Sequence, residues 1–179
     1  MKIGVVSDSH IPARAQALPR TVLKAFEDAD HIVHAGDITA GYVIETLERL
    51  APVTAVAGNL DPLALSERLG EKKTVRLGGF LFGVCHGHGK KGRTAERALA
   101  CFSDVPVDCV IFGHSHIPCC RVHGGILLFN PGSPTDRRKN AYFSFGVIET
   151  GAALSPRLIF FDNRGAVIAR DGCPDVPEH

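Results

Sequence analysis

Three apolar runs in the first 60 residues decide the fold: KIGVVSDSH at residues 2–10, HIVHAGD at 31–37 and VTAVAGN at 53–59. Each run is short, contains β-branched side chains and stops at a polar cluster, which predicts a buried strand that ends in a loop. Apolar residues at helical spacing separate the runs, over residues 19–28 and 41–50. The alternation of strand and helix predicts a parallel sheet built from βαβ units.

Beyond residue 60 the pattern becomes antiparallel. Gly78-Gly79 and His123-Gly124-Gly125 each separate two apolar runs, and glycine pairs of this kind predict hairpin turns. The predicted hairpin strands are 73–77 with 80–85, and 119–122 with 126–130; a helix is predicted over 92–102, and further strands over 108–112, 143–149 and 157–161. We therefore expect an α/β protein in which a parallel half joins a more antiparallel half, with helices outside.

The bulk composition narrows the class of protein. A chain of 179 residues with 45% hydrophobic residues suits one domain over residues 1–179, with a loosely packed, proline-rich tail from about residue 172. A formal net charge of +1 gives no indication of nucleic-acid binding. Apolar runs are too short for a membrane span or a signal peptide, so we expect a cytoplasmic protein with reduced cysteines and no membrane partner.

The polar clusters after the strands consist of residue types that bind metals. The clusters contain, in chain order, Asp8, His10, Asp37, Asn59, His86, His88, His114 and His116. Side chains that follow the carboxyl ends of strands collect at one edge of an open α/β sheet. Carboxylates and imidazoles together suit Mn, Fe, Zn or Co better than Ca or Mg. Because Asp37 can bridge two ions, the clusters indicate a two-metal site that holds a phosphoryl group.

The order of these motifs resembles a known family. Asp-x-His, Gly-Asp, Gly-Asn, His-Gly and Gly-His-x-His follow one another as in the calcineurin-like metallophosphoesterase superfamily. Asn130-Pro131-Gly132-Ser133 is similar to a loop of its compact single-domain branch of bacterial and archaeal phosphodiesterases. The resemblance implies a four-layer α/β/β/α sandwich, with two mixed β-sheets flanked by helices.

The resemblance also implies a role for each ligand. Two divalent metal ions are implied, with Mn expected and Fe, Zn or Ni as alternatives. The first ion would be held by Asp8, His10 and His116, the second by Asn59, His86 and His114, and Asp37 would bridge them. His10, Asp37 and Asn59 are the residues expected to take part in catalysis, and His88 and Arg137 are candidates for substrate binding.

Leu60 departs from the pattern of the family, in which many members carry a histidine that helps the leaving group depart. A leucine donates no proton, and general acids contribute on the order of 10²–10⁴-fold. We therefore expect hydrolysis of a small phosphodiester by a hydroxide between the two ions. The alternatives are a phosphomonoesterase acting on a small metabolite or nucleotide, and a non-catalytic protein-binding scaffold like the subunit of retromer. The sequence leaves the oligomeric state open, and a homo-oligomer is one of the alternatives.

Three neighbouring features have simpler interpretations. Asp61 is expected to orient its neighbours rather than bind metal. His34 is expected to be a buried histidine that is structural or supports a neighbouring ligand. The basic run Arg137-Arg138-Lys139 is typical of a solvated loop, and its alternative is a clamp for phosphate oxygens, which arginine forks match in geometry.

Overall fold

The computed structural model describes residues 1–172, which contain four α-helices and eleven β-strands. The helices are α1 (Arg20–Phe26), α2 (Gly41–Glu48), α3 (Leu63–Leu69) and α4 (Thr94–Ala100). The strands are β1 (Lys2–Val6), β2 (His31–His34), β3 (Val53–Ala55), β4 (Lys72–Leu77), β5 (Phe80–Cys85), β6 (Cys109–Ile111), β7 (Cys119–His123), β8 (Ile126–Asn130), β9 (Phe143–Thr150), β10 (Leu154–Phe161) and β11 (Val167–Gly172).

The strands form two mixed sheets. The first sheet has the order β11-β10-β9-β1-β2-β3, in which β1, β2 and β3 run parallel and β9, β10 and β11 are antiparallel to their neighbours. The second sheet has the order β4-β5-β6-β8-β7, with parallel pairs in its centre and an antiparallel pair at each edge. The predicted βαβ units and both predicted hairpins are confirmed.

Three clusters of buried side chains divide the molecule into layers. One cluster packs α1, α2 and α3 against the outer face of the first sheet, and includes Phe26 and Leu47. A second lies between the two sheets, where Ile3 and Phe82 contribute from opposite sides. A third packs Phe102 and its neighbours around α4 against the second sheet. The predicted four-layer α/β/β/α sandwich is therefore confirmed.

Two elements were not predicted from the sequence. The helix α3 follows Pro62 and buries Leu65 and Leu69, but Leu63 at its start is exposed, so its apolar residues do not mark a single face. The edge strand β11 leaves Val167 and Ile168 exposed, so it lacks the alternation of a half-buried strand. The loose tail predicted from about residue 172 falls almost entirely outside the described residues.

Two further expectations from composition can be compared with the structure. Within residues 1–172, no helix has both the length and the apolar character needed to cross a bilayer. Cys85, Cys101, Cys109 and Cys119 are free thiols, as expected. Cys120 is in a disulfide, so the expectation of reduced cysteines is wrong for that residue.

Candidate metal centre

The loops after four strands bring five of the predicted ligands to one place. Asp8 and His10 follow β1, Asp37 follows β2, and His86 follows β5, while His116 follows β6. Their ligand atoms form two groups, Asp8 with His10 and His116, and Asp8 with Asp37 and His86, and within each group the atoms lie within 4.8 Å of one another. All five side chains are buried. Since β1 and β2 belong to one sheet and β5 and β6 to the other, the centre lies where both sheets end.

One oxygen of each carboxylate faces the imidazoles. Asp8 Oδ1 lies 3.3 Å from His116 Nε2 and 3.9 Å from both His10 Nε2 and His86 Nε2. Asp37 Oδ2 lies 3.2 Å from His86 Nε2 and 3.9 Å from His10 Nε2. His10 Nε2 is only 3.1 Å from His116 Nε2. Five donor atoms thus converge on one small volume.

Backbone carbonyls determine which ring nitrogens are free to bind a cation. His86 Nδ1 lies 2.7 Å from the carbonyl of Ala35, and His116 Nδ1 lies 2.6 Å from that of Asp136. Because a carbonyl only accepts, each Nδ1 carries the proton and each Nε2 presents a lone pair. The buried Nε2 of His86 has no hydrogen-bond partner. Lone pairs that face carboxylates repel them unless a cation lies between, so these residues fit a metal ion.

The pKa shifts show how strongly the centre attracts positive charge. Burial raises the pKa of Asp8 to about 6. Burial would also raise the pKa of Asp37, but the proximity of His86, whose Nε2 lies 3.2 Å from Asp37 Oδ2, outweighs it and lowers the pKa to about 2. Burial would lower the pKa of His86, yet its two carboxylate neighbours raise it. His114, by contrast, is kept neutral, because burial lowers its pKa to about 4. The set therefore combines two carboxylates with imidazoles, of which that of His114 is neutral, and carboxylates and imidazoles are donors that divalent transition metals bind.

The backbone is strained at the centre. Within residues 1–172, seven residues other than glycine have a positive φ: Asp8, His10, Asp37, Thr39, His114, His116 and Arg138. Five of the seven are predicted ligands. A positive φ is costly for residues with a side chain, and such strain is concentrated at functional sites. The left-handed turns point successive side chains, such as those of Asp8 and His10, into the same space.

Asp61 connects the loop after β2 to the loop after β3. Its carboxylate accepts hydrogen bonds from the backbone amides of Asp37, Ile38, Thr39 and Gly58, at 2.6–3.1 Å. A side chain on Gly58 would overlap Asp37, so the two loops can approach this closely only at a glycine. This geometry matches the expectation that Asp61 orients its neighbours.

The other predicted residues lie around this core. His114 is half-buried, and its ring centroid is 5.3 Å from that of His86. Asn59 is exposed between Gly58 and Leu60, and the amide of Leu60 donates to Asp37 Oδ1 at 2.8 Å. His88 is exposed at the edge, with its ring 6.3 Å from His114. The structure therefore groups five of the seven predicted ligands, with His114 beside them, and the binding of metal by His114 and Asn59 stays a prediction.

Arg137 lies elsewhere. Its guanidinium donates to the carbonyl of Asn140 and lies 6.0 Å from the centre of the Phe143 ring. The next residue, Arg138, lines a pocket beside His10 instead, together with Leu60. Burial lowers the pKa of His116 and the charge of Arg138 lowers it further, which indicates that this guanidinium acts on the centre.

The loop over residues 130–140 holds the ligand loops in place. The sequence indicated this loop only through its Asn-Pro-Gly-Ser motif. The Ser133 hydroxyl donates to the carbonyl of Asp8 at 2.8 Å, and Thr135 donates to that of Ser9 at 2.6 Å. Asn130 donates to the carbonyl of Gly113, and Asn140 to that of His116. Sequence motifs do not reveal such contacts, because the acceptors are backbone atoms.

His34 lies beneath the centre, as a structural histidine should. It is fully buried, and its Nε2 lies 2.9 Å from the Ser9 hydroxyl, between the two ligands Asp8 and His10. Burial lowers the pKa of His34 to about 3, so the ring is neutral. Its contact with Ser9 links β2 to the loop that carries two of the ligands.

Comparison with known proteins identifies the family. The model of the calcineurin-like phosphoesterase superfamily domain matches residues 1–153. A probable metallophosphoesterase of Methanothermobacter thermautotrophicus is 38% identical over 135 residues, which cover 75% of this chain and 78% of that protein. A phosphodiesterase of Methanocaldococcus jannaschii is 30% identical over 148 residues, covering 74% and 83%. Zinc-complexed Vps29 from Entamoeba histolytica has a TM-score of 0.78 at 26% identity, covering 96% and 99%.

The comparisons agree on the family and on the fold. The family is metal-dependent, and the buried groups around Asp8 are candidate ligands for a metal ion. The archaeal relatives are compact proteins, of which this chain covers more than two thirds. The chain belongs to the calcineurin-like phosphoesterase superfamily, in its compact bacterial and archaeal branch.

Proposed function

We propose that the chain is a phosphodiesterase that depends on two divalent metal ions. The observation that carries the proposal is the pair of buried donor groups that share Asp8, together with the unpartnered Nε2 of His86. We assign Asp8, His10 and His116 to one ion and Asn59, His86 and His114 to the other, with Asp37 shared. Two ions so held would supply a hydroxide near neutral pH and neutralise the charge of a phosphoryl group.

The residues of the chain set the remaining conditions for catalysis. His10 lines the pocket beside the centre, so it faces a bound phosphate. His114, whose pKa burial lowers, binds as a neutral donor. Asp61 and Ser133 hold the backbone on both sides of the centre. Preorganised groups of this kind stabilise developing charge without rearranging during the reaction.

The absence of an acid at Leu60 favours esters whose leaving group departs unaided. Leu60 is 57% exposed beside the centre and offers only methyl groups. We propose His88, whose ring lies 5.7 Å from that of His86, as a contact for the substrate. Diesters with acidic leaving groups should therefore be better substrates than unactivated monoesters.

Activity assays with manganese test this proposal. Bis(4-nitrophenyl) phosphate should be cleaved with a higher kcat/KM than 4-nitrophenyl phosphate. Asp37→Ala and His114→Ala should each reduce this activity at least about 100-fold, since even residues that only support a ligand are worth 10–100-fold. Asp104→Ala, at an exposed acid outside the centre, is the matched control. Repeating the assay with iron, zinc and nickel tests the choice of metal.

Each alternative function has its own outcome. A preference for the monoester would replace the proposal with a phosphomonoesterase. The fold is shared with Vps29, and a fold alone does not define an activity. No turnover of either ester with any of the four metals, or equal turnover by wild type and both ligand variants, would favour a binding scaffold.

A further inference from the structure

A pocket of about 790 Å³ opens directly beside the metal centre. His10 belongs to both, so the pocket is continuous with the space in front of the centre. Leu60 and Ala13 supply apolar contact, and Arg14, Asp136 and Arg138 supply charge. The pocket therefore adjoins the scissile phosphate and differs from the centre in its chemistry.

The two arginines of the pocket are not equivalent. Arg14 Nε lies 3.3 Å from Asp136 Oδ2, so its charge is largely compensated. The other oxygen of Asp136 accepts from the backbone amide of Arg138 at 3.3 Å, not from its guanidinium. Among residues 1–172, no acidic side chain pairs with the guanidinium of Arg138. The pocket therefore carries one uncompensated positive charge.

The backbone conformation maintains this arrangement. Arg138 has a φ of 48°, and Thr39, on another wall of the pocket, has a φ of 67°. Both values are unfavourable, above all for a β-branched residue such as threonine. Among residues 1–172, every residue other than glycine with a positive φ is either a predicted ligand or lines this pocket. The pocket thus has the strain that marks a functional site, as the centre does.

The charge of Arg138 exceeds what the scissile group requires. A phosphodiester carries a single negative charge, which the metal centre already neutralises. An arginine fork matches a further oxyanion, and its charge-assisted hydrogen bonds are among the stronger ones. We propose that the pocket binds the substituent next to the scissile phosphate, that Leu60 contacts its apolar part, and that Arg138 binds a second oxyanion on it. This inference rests on the proposed function, because it places the scissile phosphate at the metal centre.

Two matched substrates test the second oxyanion. Methyl 4-nitrophenyl phosphate and methyl 3-carboxy-4-nitrophenyl phosphate differ by one carboxylate. The wild type should prefer the carboxylated ester, and Arg138→Asn should reduce that preference about tenfold, mainly through KM, since a charged hydrogen bond is lost. Asparagine suits the positive φ, so the variant should fold. Arg164→Asn, at an exposed arginine outside the pocket, should keep the preference.

The kinetic outcomes separate the inference from the proposed function. Equal losses of kcat/KM on both esters in Arg138→Asn would mean that Arg138 contacts the scissile phosphate, and would overturn the inference alone. An unchanged preference in Arg138→Asn would overturn it as well. If the wild type cleaves neither ester, the proposed function fails, and binding measurements decide whether the pocket recognises an oxyanion.

Calorimetric binding to the manganese-loaded protein supplies that measurement. Phenylphosphonate, 4-carboxyphenylphosphonate and 1,4-phenylenediphosphonate share one phosphonate for the centre and differ at the other end of the ring. A second anion should tighten binding about tenfold in the wild type and in Arg164→Asn but not in Arg138→Asn. If only the carboxylate or only the second phosphonate tightens binding, the result shows which of these two anions the pocket takes. Equal affinity of all three for the wild type would overturn the inference.

Discussion

Asp61 determines the position of Asp37 without facing the centre itself. Four backbone amides from two loops donate to its two oxygens. A carboxylate can accept all four, because it has lone pairs on both oxygens and no proton. The charge also favours these bonds, since hydrogen bonds to ionised groups are stronger than neutral ones.

We predict that Asp61→Asn lowers both stability and metal affinity. The amide presents one N–H₂ to backbone donors, so at least one of them is left unsatisfied, at a cost of about 1–3 kcal/mol in the free energy of unfolding. Metal affinity should fall about 10–100-fold, as for other residues that orient ligands. Urea unfolding and manganese titration measure the two effects. Asp104→Asn, at an exposed acid, is the control, and a variant of Asp61 that matched it would contradict the role given to this side chain.

His34 should make the stability of the protein depend on pH. Its pKa is about 3 in the folded protein and 6.5 in the unfolded chain, so the unfolded state binds more protons between these values. The stabilisation is therefore complete above pH 6.5 and is lost as the pH falls toward 3. Each proton that differs between the states contributes about 1.4 kcal/mol per pH unit.

We predict that His34→Gln reduces the slope of the unfolding free energy against pH between pH 6 and pH 4. The reduction should correspond to at most one proton, about 1.4 kcal/mol per pH unit. Glutamine can keep a hydrogen bond to Ser9 but does not titrate. Urea unfolding of the metal-free protein at a series of pH values measures the slope for both proteins. Buried ligand histidines contribute to both slopes, so only their difference reports on His34. Identical slopes would show that His34 takes up its proton without a penalty.

The sequence predicted the ligands better than it predicted the pocket. The ligands are metal-binding residue types in a fixed order, so Asp8 and Asp37 could be named from motifs alone. Arg138 could not be distinguished from Arg137, because a left-handed backbone at one residue determines which of the two faces the centre. Side chains in loops depend on such local turns, and composition does not encode them.

At the level of whole elements, most buried strands and helices were predictable because the pattern of their apolar residues reflects burial. The continuous apolar runs of β1 to β3 follow from helices on one face and a second sheet on the other. Neither α3, whose Leu63 is exposed, nor the exposed β11 carries such a pattern. The same packing explains why Gly146, in the middle of β9, has no side chain. A Cβ there would overlap the Phe129 ring of β8, across the interface between the sheets.

We predict that Gly146→Ala destabilises the protein by about 1–3 kcal/mol, because overpacking a tight core forces the sheets apart or the ring out of its rotamer. Gly151→Ala is the matched control, since nothing lies within 4 Å of a Cβ at that position and its φ is not in the left-handed range. Guanidinium unfolding compares the two variants with wild type. If Gly146→Ala lost no more unfolding free energy than Gly151→Ala, the interface between the two sheets would have room for a side chain at residue 146.

Across the whole molecule, the metal centre connects the two sheets. Asp8 and Asp37 follow strands of the first sheet, and His86 and His116 follow strands of the second. Without a cation, the carboxylates and lone pairs of this cluster are buried close together, and burial raises the pKa of Asp8. A bound cation offsets the cost of burying these groups only in the folded state, in which the loops are together.

We therefore predict that metal binding stabilises the fold, independently of turnover. At a free metal concentration of 100 times Kd the gain is about 2.7 kcal/mol, which corresponds to a rise in Tm of roughly 5–10 °C for a chain of this size. Melting curves in EDTA and in excess manganese measure it, and His86→Ala should abolish most of the rise by removing the unpartnered Nε2. An equal Tm in both conditions would contradict the metal centre itself. A rise in Tm without cleavage of any phosphoester would retain the centre and exclude the proposed catalysis.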